Sequence, residues 1–350
     1  MKVAIIQEQL PHYRISIFNR LAEDFGLALT VLHGDRAAAD IGGRFEERLL
    51  QIRKLLSFRK ISRIRQITGN FDVIILPFDI RYLVDILQLT FFSTAKVILW
   101  GQGISPKPYS LTDIMRLVLA RFPKAILLYN ESKKPYFIKF GIPADRIFVA
   151  NNTMDLPGRR LLVNKGMKNS FIFTGTLYKE KRVDDLLYAF SKLCQHSEIV
   201  TLLKIIGDGP EKEKLINLTK QLNIKERVEF CGFQNDPNVL QDLHDHAYAC
   251  ISPDYAGLSV LQSLGRAVPF ITKINAFSGG ETEHIIHGRT GFFYDGSVDN
   301  LFVYMNLLQS NEKLSLEMAE NSFQYFNENC GIELMLDGFV KAIHYNNKEK

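Results

Sequence analysis

Short, almost wholly apolar segments alternate with amphipathic ones along the entire 350-residue chain. Strands are expected at Val3–Ile6, Ala28–Leu32, Asp72–Leu76, Lys96–Trp100, Ala125–Tyr129 and Ile147–Ala150, and again at Phe171–Thr174, Thr201–Ile206, Val228–Phe230, Ala249–Ile251, Pro269–Thr272 and Gly291–Phe293. Helical spacing fills the intervals, as at Ile15–Phe25, Leu111–Arg121, Val183–Leu193, Glu211–Leu222 and Asn238–Asp245, and the tail from 298 to 346 reads as helix throughout. A strand that is apolar on both faces must be covered on both, which parallel sheets with flanking helices achieve. The expectation is an α/β chain of two Rossmann-like, doubly wound parallel-sheet domains facing a central cleft, with ligands beyond the carboxyl ends of the strands.

The division falls in 151–170, where Pro, Gly, Asn and Lys cluster. This gives expected domains at 1–157 and 158–330, with a closing helix in 331–350. A hydrophobic content of 46% and a charged content of 23% fit a globular protein with a full core. Cysteines at 194, 231, 250 and 330 lack metal-ligand spacing, and a reducing cytoplasm is expected. The amino terminus does not read as a signal peptide, and no run approaches the ~20 apolar residues of a membrane span.

Charge is divided unevenly. Residues 1–160 carry 24 lysines and arginines against 14 acidic residues, net +10, and the remainder carries 19 against 24, net −5. Within 44–65, eight basic residues (Arg44, Arg48, Arg53, Lys54, Arg59, Lys60, Arg63 and Arg65) interleave with Leu49, Leu50, Ile52, Leu55, Leu56 and Phe58 at roughly helical spacing. This spacing predicts a basic amphipathic helix, either resting on an anionic membrane surface or forming an ordinary solvated face. No recognition motif for nucleic acid accompanies it.

Three segments carry chemistry. In 171–182 a strand ends at Thr174-Gly175-Thr176, and a loop delivers Lys179, Glu180, Lys181 and Arg182 to a helix start, where cations would stabilise a departing diphosphate. In 203–215 the glycines of Gly207-Asp208-Gly209-Pro210 serve a tight crossover and are mainly structural. In 249–293 a strand, a turn and a helix follow one another, with Gly257 at the helix start, a local recipe for seating phosphate. Asp254 and Gln262, eight positions apart, offer hydrogen bonds to sugar and ribose hydroxyls. Gly279-Gly280 precede Glu281 and Glu283 at the expected start of a further helix. His12 and Arg14 follow the first strand, where they either line the site or serve the surface. His244 and His246 read as solvated helix residues, not as metal ligands.

In this order and spacing the three segments resemble the group 1 glycosyltransferases, the retaining family with the GT-B fold. The stretches 10–22, 99–105 and 141–155 add to the resemblance. It implies that Lys181 holds the donor diphosphate in a loop that begins at Gly175. Thr176 stands where the family has arginine, with Arg182 as the nearby cation. Asp254 would meet the donor sugar and Gln262 the nucleotide ribose. The amides at Ala256, Gly257 and Leu258 would contact sugar and phosphate, and Glu283 matches the glutamate of the glycine-rich turn. Gln102 occupies a position near the reacting carbon where many relatives have histidine.

Asp254, Lys181 and Gln102 are therefore the expected catalytic set, and His12 and Arg14 face the acceptor. The implied donor is a UDP- or GDP-linked sugar handled without metal or other cofactor. The acceptor is a glycan or lipid-linked glycan of polysaccharide or lipopolysaccharide assembly, at the inner face of the plasma membrane. A nucleotide-sugar epimerase of the same fold and a non-catalytic binding relative are the alternatives.

Overall fold

The computed structural model describes residues 1–34, 43–105, 110–162, 166 and 168–345. Part of the 151–170 division and the end of the tail lie outside these residues. The chain forms two compact units, Met1–Asp155 with the segment from Gly331 onward, and Leu156–Cys330.

Unit 1 begins with β1 (Lys2–Gln7), α1 (His12–Asp24), β2 (Ala28–His33), β3 (Glu46–Leu49), β4 (Ile52–Leu55), β5 (Phe58–Ile61) and α2 (Ile64–Thr68). It continues through β6 (Val73–Pro77), α3 (Leu83–Phe92), β7 (Lys96–Gly101), α4 (Leu111–Leu119), β8 (Ala125–Leu128), α5 (Lys134–Lys139) and β9 (Ile147–Val149). Seven of these strands make one parallel sheet in the order β3-β2-β1-β6-β7-β8-β9. Successive strand side chains point to opposite faces. Val3, Ile5, Ile75 and Ile98 therefore share one core with Ile17, Phe18 and Leu21 of α1. Ala4, Ile6, Ile74 and Leu76 share the other with Ile86 and Leu89 of α3.

Unit 2 contains β10 (Ser170–Thr174), α6 (Val183–His196), β11 (Leu202–Ile206), α7 (Lys212–Gln221), β12 (Val228–Gly232) and α8 (Pro237–Asp245). After them come β13 (Ala247–Ile251), α9 (Ser259–Gly265), β14 (Phe270–Lys273), β15 (Gly291–Tyr294), α10 (Val298–Ser310) and α11 (Glu312–Asn329). Its six-stranded sheet runs β12-β11-β10-β13-β14-β15, again parallel. Strand order reverses beside β10, so its carboxyl end and that of β13 flank the switch point where ligands of such sheets collect.

The amphipathic helix expected over 44–65 does not form. Residues 52–61 make an antiparallel hairpin pairing Ile52 with Ile61 and Leu55 with Phe58, and helix is confined to Ile64–Thr68. The reason is long-range. The buried Asp85 carboxylate accepts from the Ile61 amide at 2.9 Å and from Lys60 Nζ at 2.9 Å, and Glu8 takes Arg59 at 3.1 Å. Partners 24 to 51 positions away thus outweigh local helical spacing. Similarly, only one 3₁₀ turn, Glu281–His284, follows Gly280 where a helix was expected. His244 is fully buried, not solvated, and burial lowers its pKa to about 3.

The final helix, α12 (Ile332–His344), lies on the sheet face that α1 covers, burying Met335, Leu336 and Phe339 beside Trp100. It approaches β9 so closely that a Cβ on Gly338 would stand 1.9 Å from the Val149 carbonyl oxygen. Alanine ordinarily favours a helix interior over glycine by ~1 kcal/mol. Here the sign reverses: Gly338→Ala lowers stability by about 1–3 kcal/mol, as overpacking does. A thermal melt that rises for this variant contradicts the packing.

Candidate active site

In unit 2 the ends of β10 and β11 are joined by backbone contact. A Cβ on Gly207, which has φ +137°, would lie 2.0 Å from the Gly175 carbonyl oxygen, and one on Gly209 would lie 2.6 Å from the Leu177 nitrogen. Only glycine permits that approach. The two loops are then tied by Leu177 N to Asp208 O at 3.0 Å and Glu211 N to Leu177 O at 3.0 Å. This fixes the turn Lys179–Lys181 ahead of α6.

Lys181 reaches back across Gly175, where a Cβ would be 3.6 Å from its Nζ, and donates to the carbonyl oxygen of Tyr255. One side chain therefore links the 175–182 loop to the 254–258 loop. Among the described residues no carboxylate lies within ion-pair distance of this ammonium. Burial lowers its pKa below the ordinary lysine value, against the opposing pull of Asp254 and Glu281. Arg182 is committed elsewhere, with Nη2 2.8 Å from the Asp185 carboxylate.

The 254–258 loop is shaped by Asp254. Its Oδ1 accepts from the amides of Tyr255 at 2.8 Å and Phe277 at 3.1 Å, and its Oδ2 meets Lys273 Nζ at 2.5 Å. Burial raises its pKa, but Lys273 and the two amides outweigh burial and hold it below the usual aspartate range. Tyr255, in the left-handed region at φ 55°, stacks on Phe277 with ring centroids 4.5 Å apart. Beyond it, the amides of Ala256, Gly257 and Leu258 donate to no group among the described residues. The space beside Gly257 is open. Gln262 is 8% exposed, and its side-chain carboxamide has no hydrogen-bond partner among the described residues. The Ser259 hydroxyl is buried and has no partner among the described residues.

At the glycine-rich turn, Gly280 has φ +117° and the Ser278 hydroxyl accepts from the amides of Gly280 and Thr282. Ser278 donates to the buried Glu281 at 2.9 Å, whereas Glu283 is exposed. The structure thus gathers Gly175, Lys181, Asp254, Ala256, Gly257, Leu258 and Gln262 around the carboxyl ends of β10 and β13. Thr176 is exposed on the same loop as Lys181.

Unit 1 holds the other expected residues. Gln102 lines a pocket of about 270 Å³ with Phe78, Asp79, Trp100, Arg116 and Tyr129. Arg14 is buried beneath that group, its guanidinium 4.2 Å over the Trp100 ring and 2.8 Å from Asn152 Oδ1. His12 is exposed at the start of α1.

Residues 159–325 match the family described as glycosyl transferases group 1, a span that fills almost all of unit 2. Unit 2 is thus similar to the group 1 glycosyl transferases over just under half of the chain. Relatives include N-acetyl-alpha-D-glucosaminyl L-malate synthase of Bacillus anthracis, 30% identical over 48% of this chain and 42% of that protein. Another is N-acetylgalactosamine-N,N'-diacetylbacillosaminyl-diphospho-undecaprenol 4-alpha-N-acetylgalactosaminyltransferase of Campylobacter jejuni, 32% identical over 35% of this chain and 34% of that protein. The matched stretch spans less than half the length of either relative. The fold extends further. The structure of Anabaena Alr3699/HepE in complex with UDP superposes over 98% of this chain and 99% of that one, with TM-score 0.73 at 15% identity. This is the two-domain GT-B architecture.

Lys273, Ser259 and the Ser278–Glu281 pair did not emerge from the sequence. A usable signal for Lys273 was its place at the carboxyl end of a strand, where a cation faces the same ligand end as Asp254. The Asp254–Lys273 pair stabilises unit 2 above the ordinary aspartate range, and its contribution disappears as pH falls through the depressed folded value. Lys273→Ala is expected to cost about 1–3 kcal/mol near neutral pH, with the gap from wild type closing in acid. A pH-independent gap in chemical denaturation contradicts this assignment.

Proposed function

We propose that the chain transfers a sugar from a nucleotide-diphospho-sugar to a glycan or lipid-linked glycan, with retention at the anomeric carbon. The observation that carries this reading is the pairing of an uncompensated, partly desolvated Lys181 ammonium with the three undonated amides at 256–258. Together they supply positive potential in the geometry that a diphosphate requires.

In the transfer, the bond from the sugar anomeric carbon to the diphosphate oxygen breaks and the bond to the acceptor oxygen forms. The diphosphate departs with the electron pair, and the acceptor hydroxyl passes its proton to the departing diphosphate oxygen. Lys181 and the free amides stabilise the growing charge on the leaving group, and no metal is assigned to that role. Gln262 receives the ribose, Asp254 the donor sugar, and Glu283 and Thr176 the edges of the donor. Arg182 can contribute only by exchanging its bond to Asp185. The Gln102 pocket, whose Trp100 lining is stacked by Arg14, serves the acceptor side, with His12 at the start of the same helix as Arg14.

The Campylobacter jejuni relative, named for a diphospho-undecaprenol substrate, supports a lipid-linked acceptor. The UDP complex of the Anabaena protein supports a nucleotide donor. Polysaccharide or lipopolysaccharide assembly at the inner face of the plasma membrane is the setting we propose.

Calorimetry of wild type and Lys181→Ala with UDP and GDP tests the donor site. The variant is expected to bind at least ~10-fold more weakly, the scale of one charge-assisted hydrogen bond. Wild-type affinity should fall as pH rises through the lowered lysine value, since only the ammonium attracts phosphate. Undiminished affinity in the variant contradicts the site. Incubation with UDP- and GDP-sugars alone should leave the sugar configuration unchanged, and interconversion would assign an epimerase instead. No turnover with any donor and acceptor would assign a binding protein. The anomeric coupling of a transferred product reads retention directly.

A further inference from the structure

Unit 1 carries a surface that the transfer reaction does not use. Between positions 49 and 71 stand six cations and no carboxylate. Arg59 and Lys60 are taken by Glu8 and Asp85. Arg53, Lys54, Arg63 and Arg65 are exposed and form no ion pair among the described residues. Arg63 and Arg65, with Lys60, Gln66, Gln88 and Phe92, line a groove of about 630 Å³.

Apolar side chains continue from this groove. Arg65 sits 5.6 Å over the Phe92 ring, and the neighbouring Phe91 ring lies 5.3 Å from that of Phe122. Phe91 and Phe92 are 58% and 66% exposed. Phe122 adjoins the outer face of α4, where Leu111, Ile114, Met115 and Val118 form an exposed stripe at i, i+3, i+4 and i+7. The opposite face of α4 buries Leu117 and Leu119, so the outer stripe is surplus to the core. A water-facing ridge of this extent beside unpaired cations marks an interaction surface.

We propose that this face docks on an anionic phospholipid bilayer. Aromatic and aliphatic side chains enter the boundary between headgroups and acyl chains, while Arg53, Lys54, Arg63 and Arg65 pair with lipid phosphates. Charge complementarity selects this occupant, because Arg63 and Arg65, with Arg53 beside Arg63, adjoin apolar side chains that a hydrated polyanion would leave in water, and Lys54 adds to the exposed charge of the same hairpin. The contact is peripheral: no helix among the described residues is long and apolar enough to cross a membrane. The elements involved are a hairpin, the end of α3 and the outside of α4, in place of the single basic helix that spacing alone suggested. The inference does not depend on glycosyl transfer.

Co-sedimentation of the full chain with phosphatidylglycerol-rich and pure phosphatidylcholine vesicles tests it. Binding should be strong to the first, weak to the second, and largely removed by molar salt, which shortens the screening length to about 3 Å. Neutralising all four cations to glutamine should weaken partitioning about 100-fold or more, given the contribution of each cation near an anionic surface. Phe91→Ser with Phe92→Ser should remove the residual salt-resistant binding. All substituted positions are exposed, and unchanged circular dichroism checks that each variant folds. Absence of binding, equal binding to both vesicles, or wild-type binding by the folded four-cation variant overturns the proposal. A dimer that the Phe91→Ser, Phe92→Ser variant dissociates, without vesicle binding, assigns the face to a second copy and also overturns it.

Discussion

The carboxyl end of the unit 2 sheet depends on two loops that touch through backbone atoms alone. Gly207 stands against the Gly175 carbonyl, and Gly209 against Leu177, at separations that exclude any side chain. That contact determines where the 175–182 loop turns and how far Lys181 must reach. Lys181 then spends its hydrogen bond on a neutral carbonyl of the 254–258 loop and keeps its charge uncompensated. The loop it grips is shaped from the other side by Asp254, which Lys273 neutralises. Two lysines thus do opposite things. Lys273 cancels a carboxylate and stiffens a turn, while Lys181 stays a net cation beside free amides. A chain that merely needed a stable turn would have no reason to leave the second charge unmatched in a partly desolvated place.

Sequence made the sheets legible because their strands are buried on both faces. Val3–Ile6, Ile74–Leu76 and Phe171–Phe173 face packed helices on either side, so composition alone identifies them. The same reasoning exposed the two motif loops, since strand–glycine–helix junctions are local in the chain. It failed where structure depends on distant partners. The stretch 52–61 has helical spacing, but the buried Asp85 and Glu8 capture its backbone and cations and make it a hairpin. Lys273 lies 19 positions from Asp254, and only its place at the carboxyl end of a strand points to their ion pair. The carboxylate turned inward at the glycine-rich turn is Glu281, held by Ser278, a choice that only the left-handed Gly280 decides.

The uneven charge of the chain has a physical layout. The basic excess of unit 1 is concentrated beyond what its own carboxylates can pair, around the hairpin and α2. The cation that matters in unit 2 is a single lysine in an otherwise acidic half. A clustered exposed excess suits an extended anionic surface, whereas one desolvated ammonium flanked by amides suits a compact anion. The same residue chemistry therefore serves two scales of recognition in one chain.

The central claim is that Lys181 and the amides of 256–258 seat a diphosphate. Calorimetric titration of the unaltered protein with a nucleoside diphosphate and with the matching monophosphate tests it most directly. The account predicts that the monophosphate binds at least ~10-fold more weakly, because the second phosphate is the group that meets the lysine and the free amides. Equal affinity for the two nucleotides would contradict it.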